Sequence, residues 1–149
     1  MNFTFGIITN GENKKNLIKV INSIHKLNIP NYEIIIVDDG STDGSYERIA
    51  ALVEERKLER VKLFRNASNI GVAETENRGA GIATGQYLYF AASDDDVSPE
   101  FFEKCISALN QHIMAGACST GSYLEYPNKL RRYCAYLQVG CEGLEPPTR

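Results

Sequence analysis

Residues Glu33 to Glu47 read EIIIVDDGSTDGSYE. Four apolar residues run into a tip rich in side-chain oxygens, from Asp38 to Asp43. The β-branched run Ile34–Val37 reads as a strand buried on both faces. Its tip has three candidate meanings: a calcium loop, a nucleotide pocket, or a polar turn. An EF-hand loop counted from Asp39 places Ser41, Asp43 and Gly44 correctly but puts Ala50 at the twelfth position, where a bidentate Glu is needed. A strand also precedes the loop where a helix should, so calcium is set aside. Asp, Ser and Gly form turns for local reasons alone, and the rest of the chain must decide.

On either side of this stretch, strand and helix patterns alternate. Phe3–Ile8 is a short apolar run. Lys14–Leu27 carries Leu17, Ile18, Ile21, Ile24 and Leu27 at helical spacing, and Pro30 blocks its continuation. After the tip, Asp43 or Ser45 is placed to cap a helix with Ile49, Leu52 and Val53 inward. A third strand is expected over Arg60–Asn66, a small-residue helix over Asn69–Ala83, and a fourth strand over Gln86–Ser93. A helix follows over Ser98–Gln111, with Ser98 as N-cap, Pro99 in the first turn and Glu100 complementing the dipole. The expected fold is α/β: an open, mostly parallel sheet with helices on both faces, of the Rossmann-like nucleotide-binding kind.

In such sheets, ligands bind beyond the carboxyl ends of the strands. Three of those ends are polar here: Thr9–Asn13 (TNGEN), Asp38–Gly44 (DDGSTDG) and Ser93–Asp96 (SDDD). Three carboxylates at one strand end repel one another, and a hard cation such as Mg²⁺ or Mn²⁺ relieves that repulsion. The other reading of Asp94, Asp95 and Asp96 is a solvated loop before the next helix. No P-loop, no G-x-G-x-x-G after the first strand and no G-x-S-x-G elbow is present. His25 and His112 fall in expected helices, away from the polar tips.

Composition sets the outer bounds. The chain has 149 residues, 43% hydrophobic and 23% charged, with net charge −3. This suits a globular domain and argues against a nucleic-acid partner. No apolar run approaches the ~20 residues of a membrane span, and the N-terminal stretch lacks a signal-peptide pattern. The expected location is cytoplasmic, with peripheral attachment to the inner face of a membrane left open. Cys105, Cys118, Cys134 and Cys141 contain no C-x-x-C pair, so free thiols are expected rather than a zinc site.

Four blocks, in order, resemble the nucleotide-binding half of family 2 glycosyltransferases with the GT-A fold. FGIITNGENKKNLIKVINSI (from Phe5) is similar to the family's opening strand, loop and helix. YEIIIVDDGSTDGSYERI (from Tyr32) is similar to its second strand and Asp-Asp-Gly-Ser turn. NIGVAETENRGAGIATGQYLYF (from Asn69) is similar to its N-x-G, A-R-N-x-G and A-x-G-E-Y-I series, and AASDDDVSPEFFEKC (from Ala91) to its metal-carboxylate strand end. The resemblance implies a donor site built from Thr9, Asn10, Gly11, Glu12, Asp39, Asn77, Ser93 and Asp94. Asp39 would accept from the ring N–H of the base, commonly uracil. A divalent metal, Mn²⁺ or Mg²⁺, would sit on Asp94 and Asp96. The implied partners are a nucleotide-sugar donor and a carbohydrate or lipid-linked acceptor. A homodimer through an exposed apolar flank is also open.

The sequence departs from the family pattern at three places: Ala92 replaces the first acid of Asp-x-Asp, Glu76 replaces an Arg and Gly11 a common Tyr. Residues 1–112 are expected to form the nucleotide-sugar half and 113–149 part of an acceptor side. In that second part MAGACSTGSYLEY offers one or two strands. PNKLRRYCAYLQ places Leu130, Tyr133, Cys134 and Leu137 on one helical face, read as core packing. No general base is assigned there. The alternative to a transferase is a module that binds a nucleotide or nucleotide sugar without transferring anything. A nucleotidyltransferase ranks lower, since Thr9–Lys15 is not a basic, glycine-rich loop.

Overall fold

The computed structural model describes residues 2–11, 14–91, 99–112, 115–119, 123–126, 129–132 and 138–141. Two compact units divide the chain, Met1–Val97 and Ser98–Arg149.

The first unit runs β1 (Phe3–Thr9), α1 (Lys14–His25), β2 (Tyr32–Asp38), α2 (Ser45–Glu55), β3 (Val61–Arg65), α3 (Val72–Ile82) and β4 (Tyr87–Ala91). The four strands form one sheet in the order β3-β2-β1-β4, all parallel. Ile34, Ile35, Ile36 and Val37 are all fully buried, so β2 is covered on both faces. On one face, α3 brings Gly79 against Phe90 and Val37. The Phe90 ring lies across Gly6, where a Cβ would fall 2.3 Å from Phe90 Cε1. On the other face, Phe3 stacks on Tyr87 at 5.1 Å, Phe5 meets Tyr32 edge-on, and His25 of α1 packs edge-on against Tyr32. The open parallel sheet with helices on both faces is as the sequence led one to expect.

Element ends shift for identifiable reasons. α1 buries Leu17, Val20, Ile21 and Ile24, then ends at His25; Asn28 follows in the left-handed region at φ 54°, before Pro30 is reached. Neither Asp43 nor Ser45 occupies the N-cap of α2. Gly44 holds that position at φ 78°, and Asp43 Oδ1 instead accepts from the Ser45 N–H at 3.0 Å. α3 starts at Val72 rather than Asn69, because Ile70 and Gly71 are turned toward Asp39.

At the amino edge of the sheet Glu33 ties four segments together. Its Oε1 accepts from Thr4 Oγ1, Thr84 N and Thr84 Oγ1, each at 2.7 Å, and its Oε2 pairs with Lys62 at 2.7 Å. The Gly85 N–H donates to Thr4 Oγ1 at 2.9 Å, which closes the α3–β4 connection onto β1.

In the second unit, α4 (Pro99–Gln111) buries Phe102, Cys105 and Ala108. β5 (Ala115–Ser119) pairs antiparallel with β8 (Gln138–Cys141), and β6 (Tyr123–Tyr126) with β7 (Lys129–Arg132). β5 and β6 match the expected strands in residues 114–126. The helical face expected through Leu130 is corrected: Lys129–Arg132 is a strand, with Tyr123 opposite Arg132 and Tyr126 opposite Lys129. Backbone pairing with β6 along all of β7 outweighs the local 3.6-residue spacing there. Tyr133, Cys134 and Leu137 lie outside the described residues, as does the expected N-cap Ser98. Cys105 and Cys118 are free thiols, and burial together with the neighbouring Cys118 thiol pushes Cys105 up to about 12. Among the described residues, no helix is long and apolar enough to cross a membrane.

Burial alone would raise the Glu33 carboxyl, but Lys62, the Thr84 N–H and the two threonine hydroxyls bring it down to about 2. A lowered folded-state value means a stabilising contribution that is complete above the ordinary 4.5 and is lost as pH falls toward about 2. Glu33→Gln is therefore expected to destabilise the protein by about 1–3 kcal/mol at neutral pH. Urea unfolding at a series of pH values should show that gap closing in acid. A gap of constant size would show that the charge plays no part.

Candidate functional site

The carboxyl ends of β1, β2 and β3 come together through their side chains. β2 ends in Asp38, which is fully buried. Asp38 Oδ2 accepts from Ser41 N at 2.9 Å, Oδ1 accepts from the Ser41 hydroxyl, and Arg65 Nε of β3 stands 3.6 Å from Oδ2. Asp38 thus folds its own tip into a turn, which Gly40 permits by adopting φ 70°. Ser41 Oγ in turn accepts from the Gly11 N–H at 2.8 Å, and Asn10 Nδ2 donates to the Asp39 carbonyl at 3.1 Å. The first and second loops are thereby fixed to each other.

Asp39 is 3% exposed and holds the third loop. Its Oδ1 accepts from Asn66 Nδ2 at 2.8 Å and Ile70 N at 2.9 Å, and its Oδ2 from Gly71 N at 3.0 Å. Asn66 also donates to Thr75 Oγ1 at 2.8 Å, while its own Oδ1 accepts from Arg78 at 2.5 Å. Burial by itself would raise the Asp39 carboxyl. The donors Ile70, Asn66, Thr75 and Gly71 outweigh burial and hold it below the ordinary 3.8, so it is an anion at neutral pH. The chain passes so close above the turn that a Cβ on Gly40 would fall 2.3 Å from the Ser68 carbonyl carbon.

The residues expected from sequence are distributed as follows. Thr9, Asn10, Gly11 and Asp39 share this edge. Thr9 is 1% exposed, and among the described residues its Oγ1 is a buried side-chain atom with no hydrogen-bond partner. Asn77 is exposed on α3; Thr75, about 200° away around the helix, is the α3 side chain turned toward Asp39. Glu12, Ser93, Asp94 and Asp96 lie outside the described residues. Asp38 and Ser41, from the second polar strand end, and Arg65, Asn66 and Thr75, which were not among the expected residues, complete the edge. For Asn66 the position just past β3 was the available hint.

The described carboxylates do not fit a metal. Asp38 and Asp39 are taken up by chain donors, and Asp43 by Ser45 and Arg48. Among the described residues no cluster of His, Cys, Asp and Glu is placed to hold an ion. A cleft at the opposite, amino edge is lined by groups such as Glu33 and Thr84, which are bonded to each other.

The family described as Glycosyl transferase family 2 matches residues 4–134. An uncharacterized glycosyltransferase of Haemophilus influenzae is 38% identical over 108 residues, covering 70% of this chain and 31% of its own length. Glycosyltransferase GlyG of Streptococcus pneumoniae is 33% identical over 114 residues, covering 75% of this chain and 36% of its own. The chain thus spans about a third of the length of these relatives. Among solved structures, S. aureus TarS 1-349 in complex with UDP superposes with TM-score 0.61 at 25% identity, over 76% of this chain and 33% of that one. The mannosyltransferase PcManGT of Pyrobaculum calidifontis, in complex with GDP-Man and Mn²⁺, shares the fold with TM-score 0.64 at 19% identity, over 84% of this chain and 36% of that one. By its match over most of its length, the chain belongs to glycosyl transferase family 2.

Proposed function

We propose that this chain is the nucleotide-sugar-binding half of a glycosyltransferase that uses a UDP-sugar as donor. The observation that carries this reading is the edge itself: loops from three adjacent parallel strands are cross-linked around a buried anionic Asp39. An ionised carboxylate is acceptor-only and suits the ring N–H of uracil. TarS in complex with UDP, on the same fold, supports the assignment.

In the reaction, an acceptor hydroxyl oxygen attacks the anomeric carbon of the donor. The bond from that carbon to the diphosphate oxygen breaks, and the hydroxyl proton passes to a carboxylate base. The acceptor is a carbohydrate or a lipid-linked sugar. Residues 1–112 would supply the donor side, and 113–149 would begin the acceptor side. Asp94 and Asp96 are the residues whose chemistry fits a divalent ion. Such an ion, Mn²⁺ or Mg²⁺, would neutralise charge developing on the leaving diphosphate. A second reading, binding without transfer, is favoured by Ala92 and Glu76 standing where the family has an acid and an Arg.

Calorimetric titration with UDP tests the site. Asp39→Ala is expected to weaken binding at least about tenfold, with unfolding followed in parallel because the same change frees the Ile70–Gly71 turn. The native-to-Asp39→Ala affinity ratio, in which titration of the UDP phosphate cancels, should hold from neutral pH into acid and fall only below the ordinary 3.8, since the folded-state value lies below it. A fall in that ratio centred well above that value would point to a different acceptor.

Asp94→Asn should abolish the gain in UDP affinity that Mn²⁺ gives the native chain, while leaving metal-free binding unchanged. Retention of the full Mn²⁺ effect in the variant would place the ion elsewhere.

A further inference from the structure

The two edges of the sheet treat their cations differently. At the carboxyl edge Arg48 and Arg65 are paired with acids, and Arg78 bonds Asn66. At the amino edge an open cleft of about 560 Å³ lies between the end of α1, the end of α2 and the start of β3. Arg56, Lys57 and Arg60 line it, and among the described residues none of the three is paired with an acid. Glu59 is the one acid in the lining. Three cations against that acid, counting histidine as neutral, give the cleft a net charge of +2 in a chain whose own net charge is −3.

Two of these cations are held in place by more than chance exposure. The guanidinium carbon of Arg60 stands 4.4 Å from the centroid of the Tyr32 ring, and its Nη1 donates to the Pro30 carbonyl at 3.3 Å. The ring beneath it is fixed edge-on by Phe5 at 6.0 Å and by His25 at 5.8 Å. A guanidinium stacked on a fixed ring keeps its remaining N–H groups for a ligand and loses little freedom when it binds. Lys57 follows the end of α2 at φ 50°, in the left-handed region where glycine is the ordinary residue. That turn is held by backbone bonds: Lys57 N donates to the Glu54 carbonyl, and the Lys57 carbonyl accepts from Glu59 N. Glycine would make the same turn with less strain, so the fold gives no reason for a lysine there. The dipole of α2 favours a cation near its end, but Arg60 belongs to no helix and is not explained by it.

We propose that the amino-edge cleft is an anion site whose ligand carries a phosphate group. A phosphate dianion matches the net charge of the lining, whereas a single carboxylate would leave part of it uncompensated. The planar fork of Arg60 suits two phosphate oxygens, and Arg56 and Lys57 meet the remaining charge. A soluble phosphate compound and a lipid headgroup present the same chemistry, and the experiment separates them. Tyr32 opens β2 and Asp38 closes it, so this site lies at the other end of the strands from Asp39 and does not depend on the nucleotide reading of the carboxyl edge.

The test follows backbone amide shifts by NMR while inorganic phosphate is titrated into the native protein, with chloride at matched ionic strength as the control. Saturating shifts are expected at Asn28, Lys57 and Arg60 with phosphate and not with chloride. Arg60→Gln is expected to weaken phosphate binding about tenfold. Lys57→Gly should weaken it too, while the melting temperature holds or rises, because glycine suits φ 50°. A lysine that served only the fold would not give a loss of binding together with undiminished stability. Co-sedimentation with vesicles of phosphatidylcholine, with and without phosphatidylglycerol, distinguishes the sources. Binding to the anionic vesicles that both variants lose assigns the phosphate to a headgroup. Cleft shifts with phosphate but no vesicle binding assign it to a soluble compound. Native protein that shows neither cleft shifts nor vesicle binding would overturn the proposal, as would binding of either kind that both variants retain in full. Phosphate shifts confined to the loops around Asp39 would also overturn it, by placing the anion at the carboxyl edge.

Discussion

A buried carboxylate organises this unit. Asp39 stands at the end of a strand whose four preceding residues are fully buried, and an anion in that position is unfavourable unless donors surround it. Its donors come from past β3 (Asn66), the following turn (Ile70 and Gly71) and α3 (Thr75). Satisfying one charge therefore fixes where β3 ends, how the chain turns and where α3 begins. The closeness of Ser68 to Gly40 follows from the same demand, because the turn must approach β2 closely enough to present two backbone N–H groups.

Glu33 does the corresponding work at the other end of β2. It too lies within a ring of donors, from β1, β3 and the α3–β4 connection. The two differ in what remains available. At Glu33 the hydroxyls, the N–H and the ammonium group all bond the one carboxylate, which leaves that part of the amino edge a structural closure. At Asp39 one donor is shared with a second acceptor, and Thr9 contributes an unpaired hydroxyl. Two acids of similar chemistry thus serve different ends, and the difference lies in their neighbours' alternatives.

The order of strands and helices was legible in the sequence because each element carries its own period. Ile34–Val37 reads as a doubly covered strand, and Leu17, Ile21 and Ile24 read as one helical face. What sequence could not show was the non-local wiring. Asn66 lies 27 positions from Asp39, and nothing local marks it as that residue's donor. Thr75 rather than Asn77 faces Asp39 because the helix starts at Val72, and that start is set by the turn held on Asp39. The reading of Leu130 as helical failed for the related reason that a partner strand decides β7.

The same wiring bears on how the edge could tolerate an anionic ligand. Among the described residues three arginines stand close to it, and each is committed: Arg48 bonds the Asp43 carbonyl and carboxylate and Ser45 Oγ. Arg65 bonds the Ser41 carbonyl and Glu47 and pairs with Asp38, while Arg78 is held by Asn66 Oδ1. Glu76 occupies the place where the family carries an Arg. Releasing Arg65 or Arg78 toward a diphosphate would strip a partner from a buried group, Asp38 in one case and Asn66 in the other, and that is costly. Among the described residues, then, no arginine at this edge is free to compensate a diphosphate without unpairing a buried group.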